Sequence, residues 1–209
     1  MMYISNSMNL VILGAFFVVS FTIGCSSSDQ EPPSENSADR ASASRGMSIE
    51  QEVSPELLRQ AAFNGEEELV KMGIKQNTPL DEADGMGRTA LMLAAFNGHS
   101  TVVEKLLDEG ADIKNRDSQG RTPLIFAASG PYPETVELLL EEKADPNAVD
   151  NEEGWSSLMF AAAEGNVEVV EILLDYGADV SLKDKDGETA IEFAINNNHK
   201  EVVKLLEGN

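Results

Sequence analysis

A segment recurs along this chain at a fixed interval, and that recurrence limits the fold more than any other feature. Residues 61–65 read AAFNG and so do residues 94–98, a separation of 33. Gly87, Gly120, Gly154 and Gly187 follow one another at spacings of 33, 34 and 33, and Ala94, Ala127, Ala161 and Ala194 do the same. The one additional residue therefore falls in a loop between Asp145 and Gly154. A unit this short cannot bury its own apolar face, so consecutive units must stack on one another.

Each unit carries the same local chemistry in the same order. Asp84, Asp117, Asn151 and Asp184 stand three residues before the glycine, as a tight turn requires. Thr89, Thr122, Ser156 and Thr189 follow as helix caps, with Pro123 at a first helical position. A first helix then places Leu91, Ala94 and Ala95, and their counterparts Leu124, Ala127, Ala128 and Leu158, Ala161, Ala162, on one stripe. Small Ala side chains at two of the three places let neighbouring helices approach closely. A second helix carries Val102, Val103, Leu106 and Leu107, and later Val169, Val170, Leu173 and Leu174, with Glu104, Glu137 and Glu171 turned outward. It ends at Gly110 or Gly177, where a left-handed residue is wanted; Lys143 replaces that glycine in one unit, at some cost in stability.

Units such as DSQGRTPLIFAASGPYPETVELLLEEKAD and NEEGWSSLMFAAAEGNVEVVEILLDYGAD resemble the ankyrin repeat. The resemblance covers residues from about Glu50 to the C-terminus. It implies an all-α ankyrin-repeat solenoid of about five helix-turn-helix repeats joined by β-hairpin loops. Residues 50–83 would form the N-terminal cap, then 84–116, 117–150 and 151–183 three full units, and 184–209 the C-terminal cap. Thr78-Pro79-Leu80 imitates a helix start, but the register puts it at the loop position of Ala111, Asp112 and Ile113. Polar Glu192, Asn196, Asn197 and Asn198 suit a solvent-facing last unit.

The N-terminal part reads differently. Leu10 to Ile23 is an unbroken run of 14 apolar and small residues ending at Gly24 and Cys25. A membrane span needs about 20 residues, whereas a signal-peptide core is shorter. The segment Thr22-Ile23-Gly24-Cys25 resembles a bacterial lipobox. That resemblance implies cleavage after residue 24, lipid attachment at Cys25, and an envelope location favouring the outer membrane. An ordinary signal peptide or an uncleaved anchor with an incidental cysteine is the competing reading. Residues 25–49, rich in Ser and acidic side chains, have little to bury and read as a flexible tether.

The rest of the chain offers no chemistry. One cysteine allows neither an internal disulfide nor a Cys-rich metal site. His99 and His199 occupy one slot three repeats apart, too far to share a metal, and read as surface residues opening a second helix. Gly85-Met86-Gly87-Arg88 lacks the strand and third glycine of a dinucleotide loop, and Asp184-Lys185-Asp186-Gly187 lacks the first and last ligands of a calcium loop. The expectation is therefore no enzyme, cofactor, metal or small-molecule substrate. With 37 acidic and 15 basic residues the net charge is −22, which repels nucleic acid. The charge leaves two readings open, an ordinary solvated surface or one matched to a basic partner.

In the ankyrin family the hairpin tips and the exposed side of the first helices bind other proteins. The matching positions here are Phe63, Met86, Arg88, Phe96, Gln119, Arg121, Glu153, Trp155, Lys185 and Glu188. Exposed aromatic and Arg side chains are the types that carry binding energy. The expectation is a monomeric, lipid-anchored protein that binds another protein. It would serve as a scaffold or protective partner in the envelope, or as an immunity protein that neutralises a periplasm-directed toxin.

Overall fold

A short amphipathic helix is marginal in water until its apolar stripe is covered, and here each unit's stripe is covered by the next unit along the chain. The computed structural model describes residues 52–208. The apolar leader, Cys25 and the tether lie outside the described residues. Ten helices follow in pairs: α1 (Pro55–Asn64) with α2 (Glu67–Lys75), α3 (Ala90–Phe96) with α4 (Ser100–Asp108), α5 (Pro123–Ala128) with α6 (Pro133–Glu141), α7 (Ser157–Glu164) with α8 (Val167–Asp175), and α9 (Ala190–Asn196) with α10 (Lys200–Glu207). The odd-numbered helices pack on one another in an inner row, and the even-numbered ones form an outer row behind them.

The capping chemistry read from the sequence builds the helix starts. The Thr89, Thr122 and Ser156 hydroxyls accept from the backbone N–H groups of Met92, Ile125 and Met159 at 3.4, 3.3 and 3.3 Å. Thr189 uses a different device, with its N–H and hydroxyl both donating to the Glu192 carboxylate at 2.6 and 2.9 Å. Ser54 and Pro55 open α1 in the standard way, Ser54 accepting from Leu57 N–H at 3.2 Å.

The outer helices end alike. The N–H groups of Thr78, Ala111, Ala144 and Ala178 return to the carbonyls of Gly73, Leu106, Leu139 and Leu173. The residue before each is left-handed: Asn77, Gly110, Lys143 and Gly177 have φ of 58°, 89°, 69° and 83°. Thr78 is thus a loop residue in register with Ala111, as the spacing requires, and its hydroxyl donates to Val53 O at 2.7 Å. Among the described residues the loops are tight turns rather than strand ladders, with one antiparallel bridge between Val149 and Ser156.

The core is a double file of small and branched side chains. Ala61, Ala94, Ala127, Ala161 and Ala194 are all fully buried, as are Val70, Val103, Val136 and Val170 on the outer row. Thr135 interrupts the file at the position of Val102, Val169 and Val202, and its buried hydroxyl finds no hydrogen-bond partner.

The histidines do more than the sequence suggested. His99 and His199 sit at the starts of α4 and α10, but their rings are half-buried against Gly65 and Gly165 of the preceding unit. Each Nε2 donates to a carbonyl there, Phe63 O or Ala163 O, at 3.0 Å. Asn97 and Asn197 donate to the same two carbonyls at 2.7 and 2.8 Å. A paired Asn-x-His clasp therefore ties the ends of α1 and α7 to the units that follow them.

Two substitutions should raise stability. Thr135→Val removes an unpaired buried hydroxyl, and Lys143→Gly relieves a left-handed side chain; each is expected to contribute about 1 kcal/mol. That corresponds to a rise in Tm of about 2–4 °C, measurable by thermal circular dichroism, and an unchanged or lower Tm for both would show that these sites are not under strain.

Candidate protein-interaction face

The turns between units are held by one carboxylate each. Asp84 Oδ1 accepts from the N–H groups of Met86 and Arg88 at 2.9 Å, while its Oδ2 takes the Arg88 guanidinium at 2.7 and 2.8 Å. Asp117 repeats the pattern with Gln119, Arg121 and the Arg121 guanidinium, and its own side chain is completely enclosed. Asp184 Oδ1 accepts from Asp186 and Glu188 N–H at 3.0 and 2.8 Å, and its Oδ2 accepts from the Trp155 indole at 3.3 Å.

The third tip corrects one expectation. Asp150, not Asn151, is the acceptor there, taking the N–H groups of Glu152, Glu153 and Gly154 at 3.1, 2.9 and 2.8 Å. The turn closes from Asp150 N to Trp155 O, one residue wider than Asp84 to Arg88 or Asp117 to Arg121. The additional residue of the 34-residue spacing is thus absorbed in the tip itself, and Asn151 lies against Gly120 of the preceding tip.

Successive tips are bonded to one another. Ser118 N donates to Met86 O at 2.9 Å, Asn151 N to Gln119 O at 2.7 Å, and Lys185 N to Glu153 O at 2.9 Å. The Lys185 ammonium adds a bond to Asn151 O at 2.7 Å. This backbone ladder fixes the separation of the tips, so side chains on them are presented on a rigid edge.

Beside the tips runs a row of aromatic side chains. Leu93, Phe126, Phe160 and Phe193 hold one register position on the inner helices, at spacings of 33, 34 and 33. Phe96 meets Phe126 edge-on with centroids 6.1 Å apart, and the Arg121 guanidinium lies 4.5 Å over the Phe126 ring. Trp155 packs against Phe160 and Phe193 at 5.0 and 4.4 Å. Phe96, Trp155 and Phe160 keep part of their surface open, whereas Phe126 and Phe193 are buried.

The other expected positions are distributed along this face. Met86 and Lys185 are exposed at the tips, Gln119 is half-buried with its amide on the Glu152 carboxylate, and Phe63 is half-buried at the end of α1. Glu153 is exposed, and Glu188 accepts a bond from Asn196 at 3.4 Å. Arg88 and Arg121 face inward to their own tips, so their guanidinium groups hold the turns as well as edging the face. The sequence reading passed over Phe126 and Phe160. The signal was available, since both fall in register with Leu93 and Phe193 once the 34-residue spacing is followed.

The electrostatic field is uneven. Residues 133–208 carry nineteen Asp and Glu against five Lys and no Arg, whereas residues 52–132 carry thirteen acids against eight bases. On the outer side of the acidic half, burial first and then Glu141, Glu137 and Asp175 push the Tyr176 phenol above its ordinary range. Among the described residues no three His, Cys, Asp or Glu side chains are grouped to hold a metal, and no helix is long and apolar enough to cross a membrane.

Comparison with known proteins yields one family. A family model described as ankyrin repeats in three copies matches residues 58–150 and 130–208, most of the chain. No curated protein matches it.

The tip carboxylates should be worth more than any surface charge. Asp117→Ala strands Arg121 and two backbone N–H groups, and a loss of about 2–3 kcal/mol in denaturant unfolding is expected; a loss no larger than that of Glu153→Ala would contradict this role. Burial alone would raise the Asp84 carboxyl, but the bonds from Arg88 and Met86 and the Arg88 charge hold it below its ordinary value. A lowered folded pKa stabilises above the unfolded value of about 4 and loses that contribution as pH falls through the folded pKa. Asp84→Asn should therefore flatten the decline of Tm in the acid range; an unaltered acid slope would show that this carboxylate does not contribute to it.

Proposed function

The chain belongs to the ankyrin-repeat family, and from that premise we propose that it is an exported protein, tethered to a membrane through lipid on Cys25, that captures a basic protein partner on its tip and inner-helix face. The fold is a protein-interaction scaffold. The observation that carries the choice of face is the rigid aromatic row of Phe96, Trp155 and Phe160, partly open and bordered by the exposed carboxylates of Glu153 and Glu164. No basic side chain forms an ion pair with either carboxylate among the described residues. Aromatic shelves on a fixed backbone lose little entropy on binding, and unpaired carboxylates beside them favour Lys or Arg on the incoming surface. The anchor rests on the apolar run Leu10–Ile23 and the small residues before Cys25. Scaffolding of an envelope protein and neutralisation of a delivered toxin both use this contact, and the identity of the bound protein separates them.

Two experiments test the reading. Metabolic labelling with a fatty-acid analogue should mark the wild-type chain and not Cys25→Ser, and a Cys25→Ser protein that still labels and sediments with membranes contradicts the anchor. For the face, the protein recovered by cross-linking in the envelope should be basic, and raising salt should slow its association. Phe160→Ala and Phe96→Ala should each cost about 2 kcal/mol, roughly thirtyfold in affinity, while Glu137→Ala and Glu171→Ala on the outer row cost little. Loss confined to the outer-row variants places binding elsewhere.

A further inference from the structure

Four of the five turns between paired helices are built alike, and the third is not. In the four, the residue before the outer helix's cap is left-handed: Gly65, Gly98, Gly165 and Asn198 have φ of 73°, 69°, 76° and 63°. The next N–H returns to the inner helix, Glu66 to Ala61 O, His99 to Ala94 O, Asn166 to Ala161 O and His199 to Ala194 O, at distances of 2.9, 3.0, 3.0 and 2.8 Å. The third turn has Pro131 at the left-handed position, and a proline ring holds φ negative. Among the described residues Tyr132 N–H makes no returning bond, and α5, with six residues, is the shortest helix.

The difference falls on the junction with the fourth repeat. Elsewhere the residues that open an outer helix hold the preceding turn: Asn97 and His99 bond Phe63 O, Asn197 and His199 bond Ala163 O, and the Tyr132 ring lies over Gly98. Between the third and fourth repeats the carbonyl in register is Ser129 O, and the residues set against it are Glu164 and Asn166. An ionised carboxylate has no proton to donate, and Asn166 Nδ2 is buried without a partner. Ser157 Oγ, fully buried at the start of α7, is unpaired as well, and Thr135 on α6 is the third such case. Every unpaired buried side-chain polar atom among the described residues thus lies in these two repeats, and each one weakens the packing around it.

The outer row adds repulsion. Between the first two repeats Lys105 reaches across to Glu67 at 3.0 Å. Between the third and fourth, α6 carries Glu134, Glu137 and Glu141, α8 carries Glu168, Glu171 and Asp175 at the corresponding positions, and neither helix has a Lys or Arg. Like charges in two packed rows push the rows apart. The hydrogen bonds that cross this junction lie at the other end of the helices. Asn151 N–H donates to Gln119 O at 2.7 Å in the tips, and Asp179 N–H donates to Asn147 Oδ1 at 2.8 Å in the loops that follow α6 and α8. We propose that the stack opens between its third and fourth repeats, hinged at the tip end and parting at the turn end under the repulsion of the outer-row carboxylates. The ladder of tips stays intact, while the inner face bends between Phe126 and Phe160.

Spin labels on exposed side chains read this opening without disturbing the core. In the full chain carrying Cys25→Ser, three pairs of cysteines are labelled and their separations measured by pulsed electron paramagnetic resonance. Glu134→Cys with Glu168→Cys spans the turn end of the junction, Glu141→Cys with Asp175→Cys spans its tip end, and Glu68→Cys with Thr101→Cys spans the equivalent turn end between the first two repeats. A rotation of about 20° at the tip end moves the start of a helix the length of α6 by about 5 Å. The first pair should therefore show a second component longer by about that amount, absent from the other two pairs. Raised salt and Glu137→Lys should each shrink it, because they screen or cancel the repulsion. A first pair as narrow as the others, or the same broadening at all three, overturns the opening. A longer component indifferent to both salt and Glu137→Lys overturns the role of the carboxylates. These distances are measured on the free chain, so a result against the opening leaves the choice of binding face untouched.

Discussion

Coverage of one repeat by the next is the interaction on which the rest of the structure depends. No single pair of helices here encloses a core, since each pair has only about four turns of helix and offers one apolar flank to each neighbour. The fully buried alanines at 61, 94, 127, 161 and 194 are what let the inner helices lie close enough for that coverage. Stability is then a sum of nearest-neighbour terms, and the Asn97–His99 and Asn197–His199 clasps are extra terms at two of the junctions.

The tips convert that stacking into a defined edge. In each, one Asp carboxylate satisfies the backbone N–H groups that a tight turn would leave facing water, and a backbone bond passes from each tip to the next. A surface that must bind without reorganising gains from such fixing, because less freedom is lost on association. The cost is that side chains which look free in the sequence are committed. Arg88 and Arg121 brace their own turns, and Trp155 is wedged between the last two units with its indole on Asp184. Altering them would disturb folding together with the proposed binding, whereas Phe160 and Glu164 can be altered with less disturbance to the turns.

Much of this was legible in the sequence because the repeat writes each requirement several times. Caps, left-handed helix ends, the Ala stripe and the misleading Thr78-Pro79-Leu80 all follow from register alone. What escaped was what register does not encode. Asp150 took the place assigned to Asn151 because the extra residue could be absorbed on either side of it, and only the backbone shows which. The histidines looked like exposed helix-opening residues because their partners, Phe63 O and Ala163 O, are carbonyls, which have no sequence signature. The aromatic row was half seen, because Phe126 and Phe160 belong to a column whose other members, Leu93 and Phe193, read as ordinary core.

The proposed function turns on which side of the stack receives the partner. Hydrogen–deuterium exchange of the chain, with and without the protein recovered from the envelope, reads this directly from backbone amides. Slowed exchange at residues 84–88, 117–121 and 150–155 and along α3, α5 and α7, with α4, α6 and α8 unchanged, is the predicted result. Protection confined to the outer helices α4, α6 and α8, with the tips exchanging as in the free chain, would contradict it.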